Sequence, residues 1–130
     1  MTNAALVRAW MEACNGMDTA AAFALVDPEF EMIETPALPG AATTSGLDEL
    51  ARYFAGWRRN WSEWAWLEEE LMDIPPDKVL VMARLKLKGL RSGLWVEHRW
   101  AYLFTLRDGR LLRQDGFDTR DDALEAAGRA

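Results

Sequence analysis

The stretch 94-LWVEHRWAYLFTLRDGRLLRQDGFD-118 decides the fold. Two runs of aliphatic and aromatic residues flank Asp108-Gly109. Asp-Gly is the strongest two-residue hairpin signal, because both residues tolerate the positive φ that a type I′ turn requires. The turn then sets the register, and register sets which side chains share a face. With Arg107 opposite Arg110, the spacing predicts Leu106 opposite Leu111, Phe104 opposite Arg113, Tyr102 opposite Asp115 and Trp100 opposite Phe117, all on one face. Arg99 falls opposite Asp118 on the other.

Working outward, Lys78–Lys88 alternates in the same way and reaches this hairpin through a turn over Gly89–Gly93. A turn centred in Leu90–Gly93 sets Val81, Ala83, Leu85 and Leu87 against Tyr102, Trp100, His98 and Val96. Lys86 then meets Glu97 on a charged outer face, and this division supports the register. The turn Pro75-Pro76-Asp77, with Ile74 opposite Val79, adds Trp64, Trp66, Glu68, Glu70, Met72 and Ile74 to the inner face. Four strands follow, Trp64–Ile74, Lys78–Lys88, Leu94–Leu106 and Arg110–Asp118, in sequential antiparallel hairpins. Strands this long must twist and curl, which gives the sheet a concave side.

The earlier chain supplies the cover. Leu6, Trp10, Ala13 and Met17 recur at helical spacing, predicting a helix from Asn3 to Asn15. Asp18 caps a short alanine-rich helix to about Val26, and Asp27-Pro28 stops it. Glu29–Thr35 alternates as a strand, and Pro36–Ser45 reads as a loop. Ser45 with Asp48 opens a helix whose stripe is Leu47, Leu50, Phe54, Trp57 and Trp61. Thr119 caps a last helix, Arg120 to Ala127, ended by Gly128. The order is α+β: a curved, mostly antiparallel sheet with N-terminal helices closing a cone-shaped pocket, a cystatin-like α+β barrel.

A length of 130 residues suits one domain over 1–130. The net charge of −6 argues against nucleic acid or an anionic membrane as partner. One Cys excludes an intrachain disulfide, and one His excludes a multi-His metal cage, so neither metal nor cofactor is expected. No apolar run is long enough to span a membrane and no signal peptide is expected, so the default location is cytoplasmic. Seven tryptophans stand out, and Trp57, Trp61, Trp64 and Trp66 would suit either an aromatic wall or a plain core.

Most of the expected inner face is apolar, but His98, Tyr102, Arg113, Asp115 and Glu70 are not. Inward charges must pair or line a wet cavity. Asp115, Tyr102 and His98 are therefore the catalytic candidates, with Asp115 a general acid or base whose pKa burial would raise. Arg113, Trp100, Glu70, Trp66, Phe117 and Glu34 are the binding candidates. An Arg113–Asp115 ion pair closed on itself is the structural alternative.

The pattern Leu50-x-x-Tyr53-Phe54 … Trp61 … Glu69-Glu70 … Asp77–Val81 … Ser92-Gly93 resembles the nuclear transport factor 2-like superfamily, above all its bacterial SnoaL-like, polyketide-cyclase-like branch. The stretches Phe104–Leu111 and Asp122–Gly128 carry most of the likeness. The resemblance implies a sheet-and-helix cone over a small-molecule pocket. It also implies an acid/base carboxylate in the cone, which Asp115 on the last strand would supply. A ketosteroid-isomerase-like base would come from the loop after the first strand, where Glu34 is the nearby carboxylate. The functional expectation is cofactor-free isomerisation, cyclisation, dehydration or hydrolysis of an apolar substrate. The alternative is a non-catalytic module that binds a hydrophobic ligand or serves as a dimeric accessory domain. Trp95, Ala101, Leu103 and Leu112 on the outer face predict a homodimer through the sheet.

Overall fold

The computed structural model describes residues 1–35 and 42–128. Its elements are α1 (Asn3–Asn15), α2 (Thr19–Leu25), β1 (Val26–Ile33), β2 (Thr43–Ser45), α3 (Gly46–Trp57), β3 (Trp61–Ile74), β4 (Lys78–Gly89), β5 (Trp95–Arg107), β6 (Arg110–Phe117) and α4 (Arg120–Ala126). Most of the loop expected over Pro36–Ser45 lies outside the described residues, and its end forms β2. The caps follow the sequence at two helices: Asp18 accepts from the Ala21 N–H and Thr119 from the Asp122 N–H. At α3 the Ser45 side chain makes no cap bond, and Glu49 accepts the Ser45 N–H instead.

The strands form one curved, unclosed mixed sheet in the order β2-β1-β6-β5-β4-β3. β3 through β6 are sequential antiparallel neighbours, and β1 runs parallel to β6. The β4–β5 register is the one alternation predicts, with Val81 opposite Tyr102 and Leu85 opposite His98. The Asp108-Gly109 turn also forms as read, with φ of 52° and 75° at its two residues.

Helices α1 and α3 lie on the concave face. Leu6, Val7, Trp10, Leu50 and Phe54 pack there against Val81, Ala83, Phe104 and Leu111. The opposite face is closed by α4, whose Ala123 packs with Ile74, Leu80, Ala101 and Leu103. Ala101 and Leu103 are thus buried beneath the chain's own helix, so they offer no surface to a second copy.

A bulge in β6 and a one-residue shift at the β3–β4 turn correct the expected facing. In β6, Leu106 pairs with Leu111 but Thr105 pairs with Arg113, so Leu112 is an extra residue. An extra residue in a period-two strand reverses every side chain after it. Tyr102 consequently opposes Gly116, not Asp115. Arg113, Asp115 and Phe117 turn outward, where Phe117 joins the core under α4. In β3, Glu68 pairs with Ala83 and Glu70 with Met82, leaving Glu69 extra. Glu70 lies on the turn side of that bulge and faces outward because Ile74 pairs with Lys78 and not Val79; it binds Arg120 at 2.9 Å, and Met72 and Ile74 pack in the outer core. Arg99 meets Glu69 at 3.0 Å rather than Asp118.

β3 is an edge strand, and an edge leaves backbone groups unpaired. Asn15, at the end of α1, covers part of it. Its Nδ2 donates to the Trp66 carbonyl at 2.9 Å, and its Oδ1 accepts the Trp66 N–H at 2.7 Å. The Trp64 indole adds a bond to the Asn15 carbonyl at 3.1 Å. One side-chain amide thus takes the place of a strand partner and docks α1 on the sheet. Removing it strands a part-buried donor and acceptor, which costs roughly 1–3 kcal/mol. We predict that Asn15→Ala lowers the unfolding free energy by about that amount in urea melts. An unchanged midpoint would show that α1 docks without it.

Candidate functional site

A cavity of about 450 Å³ lies between the concave sheet face and helices α1 and α3. That is within the range of small-molecule sites, roughly 300–1,000 Å³. Trp57, Trp61, Trp64 and Trp66 all line it, together with Trp100 and Tyr102. The four tryptophans near the α3–β3 junction are each partly buried, so they form a wall and not a closed core. Trp57 meets Trp61 and Trp64 with ring centroids 6.2 Å apart in both cases. Trp66 meets Tyr102 edge-on at 4.9 Å. The indole N–H of Trp57 is buried and finds no partner among the described residues.

Glu34 is the one carboxylate of the described lining, and Arg52 its one guanidinium. Glu34 directly follows β1, and its N–H donates to the Ala42 carbonyl at 3.2 Å. The next residue, Thr35, is buried and donates its hydroxyl to Asp118 at 2.5 Å. Gly116 allows this close approach, because a Cβ there would stand 2.9 Å from the Thr35 nitrogen. The end of β1 is therefore held tightly to β6, and Glu34 is held with it.

Burial raises the Glu34 carboxyl above its ordinary pKa. Burial also pushes the hydroxyls of Tyr53 and Tyr102 up, and the negative charge of Glu34 adds to both shifts. Both phenols stay protonated and can donate. The Cys14 thiol on the same lining is likewise pushed up by burial, so it remains a thiol. Among the described residues, no three His, Cys, Asp or Glu side chains gather as a metal site would need.

Of the residues singled out in the sequence, the cavity collects Tyr102, Trp100, Trp66 and Glu34. It does not collect Asp115, Arg113, Glu70, Phe117 or His98. Arg113 and Asp115 pair with each other at 2.8 Å on the opposite face. His98 has the inward register but sits in the exposed first part of β5, stacked on Trp100 at 4.6 Å and 6° between planes. Alternation gives a strand's face, not how far along it the helices extend their cover.

Gln114 is one polar lining residue that sequence reasoning missed. It is 8% exposed, lines the cavity, and accepts a 2.9 Å hydrogen bond from the Trp10 indole. Burying an indole removes on the order of 200 Å² from water, about 5 kcal/mol at most at roughly 25 cal/mol/Å². An unpaired buried N–H would forfeit about 1–3 kcal/mol of that, and Gln114 prevents the loss. The available signal was Leu111-Leu112, two adjacent apolar residues that break the alternation.

No helix among the described residues is long and apolar enough to cross a membrane. No curated protein matches the chain. Solved structures show the same fold. An NTF2-like protein of unknown function from Burkholderia pseudomallei superposes with a TM-score of 0.81 at 15% identity, covering 96% of this chain and 97% of that one. An NTF2-like protein from Burkholderia thailandensis reaches 0.76 at 25% identity, covering 95% and 93%. TerC, co-crystallised with polyporic acid, reaches 0.79 at 17% identity, covering 95% of each chain. The profile of the SnoaL-like domain matches residues 7–114, which is most of the sequence and nearly all of the cone, and the chain belongs to that family.

Proposed function

We propose that the cavity binds a flat, apolar small molecule and that Glu34 moves a proton to or from it, with Tyr102 as the neighbouring hydrogen-bond donor. The observation that carries this reading is a half-buried carboxylate, the only one among the described lining residues and raised in pKa, on an aromatic-walled cavity. A carboxylate with raised pKa is a stronger base once ionised. Abstraction of a proton beside a carbonyl is the step shared by cofactor-free isomerisation, cyclisation and dehydration. In a hydrolysis the same group would activate water. TerC's co-crystallisation with polyporic acid supports a small-molecule role for this fold. The second reading, a binding module without catalysis, is favoured by the Arg113–Asp115 pair, which lies outside the cone and is closed on itself.

Deuterium exchange at the carbon beside the carbonyl of 2-tetralone separates the two readings. The wild type should accelerate it in D₂O, and Glu34→Gln should slow it by about 10²-fold or more. The rate should rise with pH through a midpoint above the ordinary carboxylate range. Equal rates in both proteins would leave only the binding module. The folded state holds the Glu34 proton more tightly than the unfolded chain does. Wild-type stability should therefore fall as pH rises from the ordinary glutamate pKa through the raised one, and Glu34→Gln should lack that fall.

A homodimer through the outer sheet face remains part of this proposal. It rests on Trp95, half exposed beside Lys86, and on Leu67. Light scattering at micromolar concentration should give twice the chain mass, and a monomer mass would rule the dimer out.

A further inference from the structure

We propose that Gln114 selects the ligand by presenting an amide donor to a carbonyl or oxyanion oxygen. The inference deepens the small-molecule reading of the same cavity and rests on it. An indole N–H is a donor only, so the atom 2.9 Å from Trp10 Nε1 must be the amide oxygen of Gln114. That bond fixes which way the amide is turned. Trp10 is itself held fast: it is 1% exposed, with Phe30 and Phe54 rings 5.4 and 6.1 Å away. Gln114 Nε2 makes no hydrogen bond to any described residue, although the residue is only 8% exposed and lines the cavity.

The rest of the lining makes the same demand. The phenols of Tyr53 and Tyr102 stay protonated, and the buried indole N–H of Trp57 has no partner among the described residues. Against these donors stands one carboxylate, Glu34, among the described residues. A pure hydrocarbon would leave Gln114 Nε2 buried and unsatisfied, whereas an acceptor oxygen completes it. Sites built to hydrogen-bond a ligand atom discriminate strongly against analogues that lack it.

The test compares 2-acetylnaphthalene with 2-ethylnaphthalene, which differ by one carbonyl oxygen in place of two hydrogens. Dissociation constants are read from tryptophan fluorescence for the wild type, Gln114→Met and Gln114→Glu. The glutamate variant, measured at a pH high enough to ionise its carboxyl, keeps an oxygen for Trp10 and removes the donor, so it guards against a fold lost in the methionine variant. Taking the ratio of the two affinities cancels the ketone's own desolvation. The ketone-to-hydrocarbon ratio should fall about tenfold in both variants, the size of one hydrogen bond. The hydrocarbon should bind all three proteins alike. The Gln114 side-chain NH₂ signals, assigned by their loss in Gln114→Glu, should shift on adding the ketone and not the hydrocarbon. A ratio unchanged by both variants, or NH₂ signals that ignore the ketone, would overturn the assignment while leaving the pocket reading intact. Failure of the wild type to bind either compound would overturn both.

Discussion

The bulge that Leu112 puts into β6 is the constraint on which the cavity depends. The Asp108-Gly109 turn holds Leu106 against Leu111, and the next pair is Thr105 with Arg113. Everything after that point is turned over. Gln114 enters the cone and meets Trp10. Gly116 comes beneath the end of β1, where a larger residue would collide with Thr35. Asp118 is then in place for the Thr35 hydroxyl, and Phe117 faces α4. Without the bulge, Arg113 and Asp115 would occupy the concave face. Burying two charges costs several kcal/mol per ion before pairing returns any of it, whereas a bulge leaves one residue out of the ladder. The cheaper arrangement keeps the ion pair at the surface and a neutral amide inside.

A second bulge, at Glu69, shapes the other side of the sheet. Glu68, Glu69 and Glu70 are consecutive, and a regular strand would send Glu68 and Glu70 to one face and Glu69 to the other. With Glu69 extra, each reaches its own cation: Arg8 on α1, Arg99 on β5 and Arg120 on α4. Exposed pairs of this kind contribute little stability individually. The bulge's larger consequence is to let β3 serve both layers. Trp64 and Trp66 line the cone, and Met72 and Ile74, further along, pack under α4.

The parts of this architecture governed by local chemistry were legible in the sequence. Helical spacing gave α1 its bounds, Asp-Gly gave the hairpin its turn, and alternation gave β4 and β5 their register. Trp64 and Trp66 face inward as read, but through two compensating shifts. Ile74 pairs with Lys78 and not Val79, and the Glu69 bulge restores the face. The polar site was not legible for the same reason. The sequence Leu111-Leu112-Arg113-Gln114-Asp115 supplies an inward leucine in either register, so alternation alone does not decide between Gln114 and Asp115. Glu34 was legible as a carboxylate after the first strand, but its place as the lining's carboxylate depends on where β6 sends Asp115.

Cross-strand NMR contacts between β5 and β6 test this account most directly. The account predicts backbone NOEs that pair Tyr102 with Gly116 and Phe104 with Gln114. NOEs pairing Tyr102 with Asp115 and Phe104 with Arg113 would contradict it, because Gln114 would then face outward and the cavity would contain a second carboxylate.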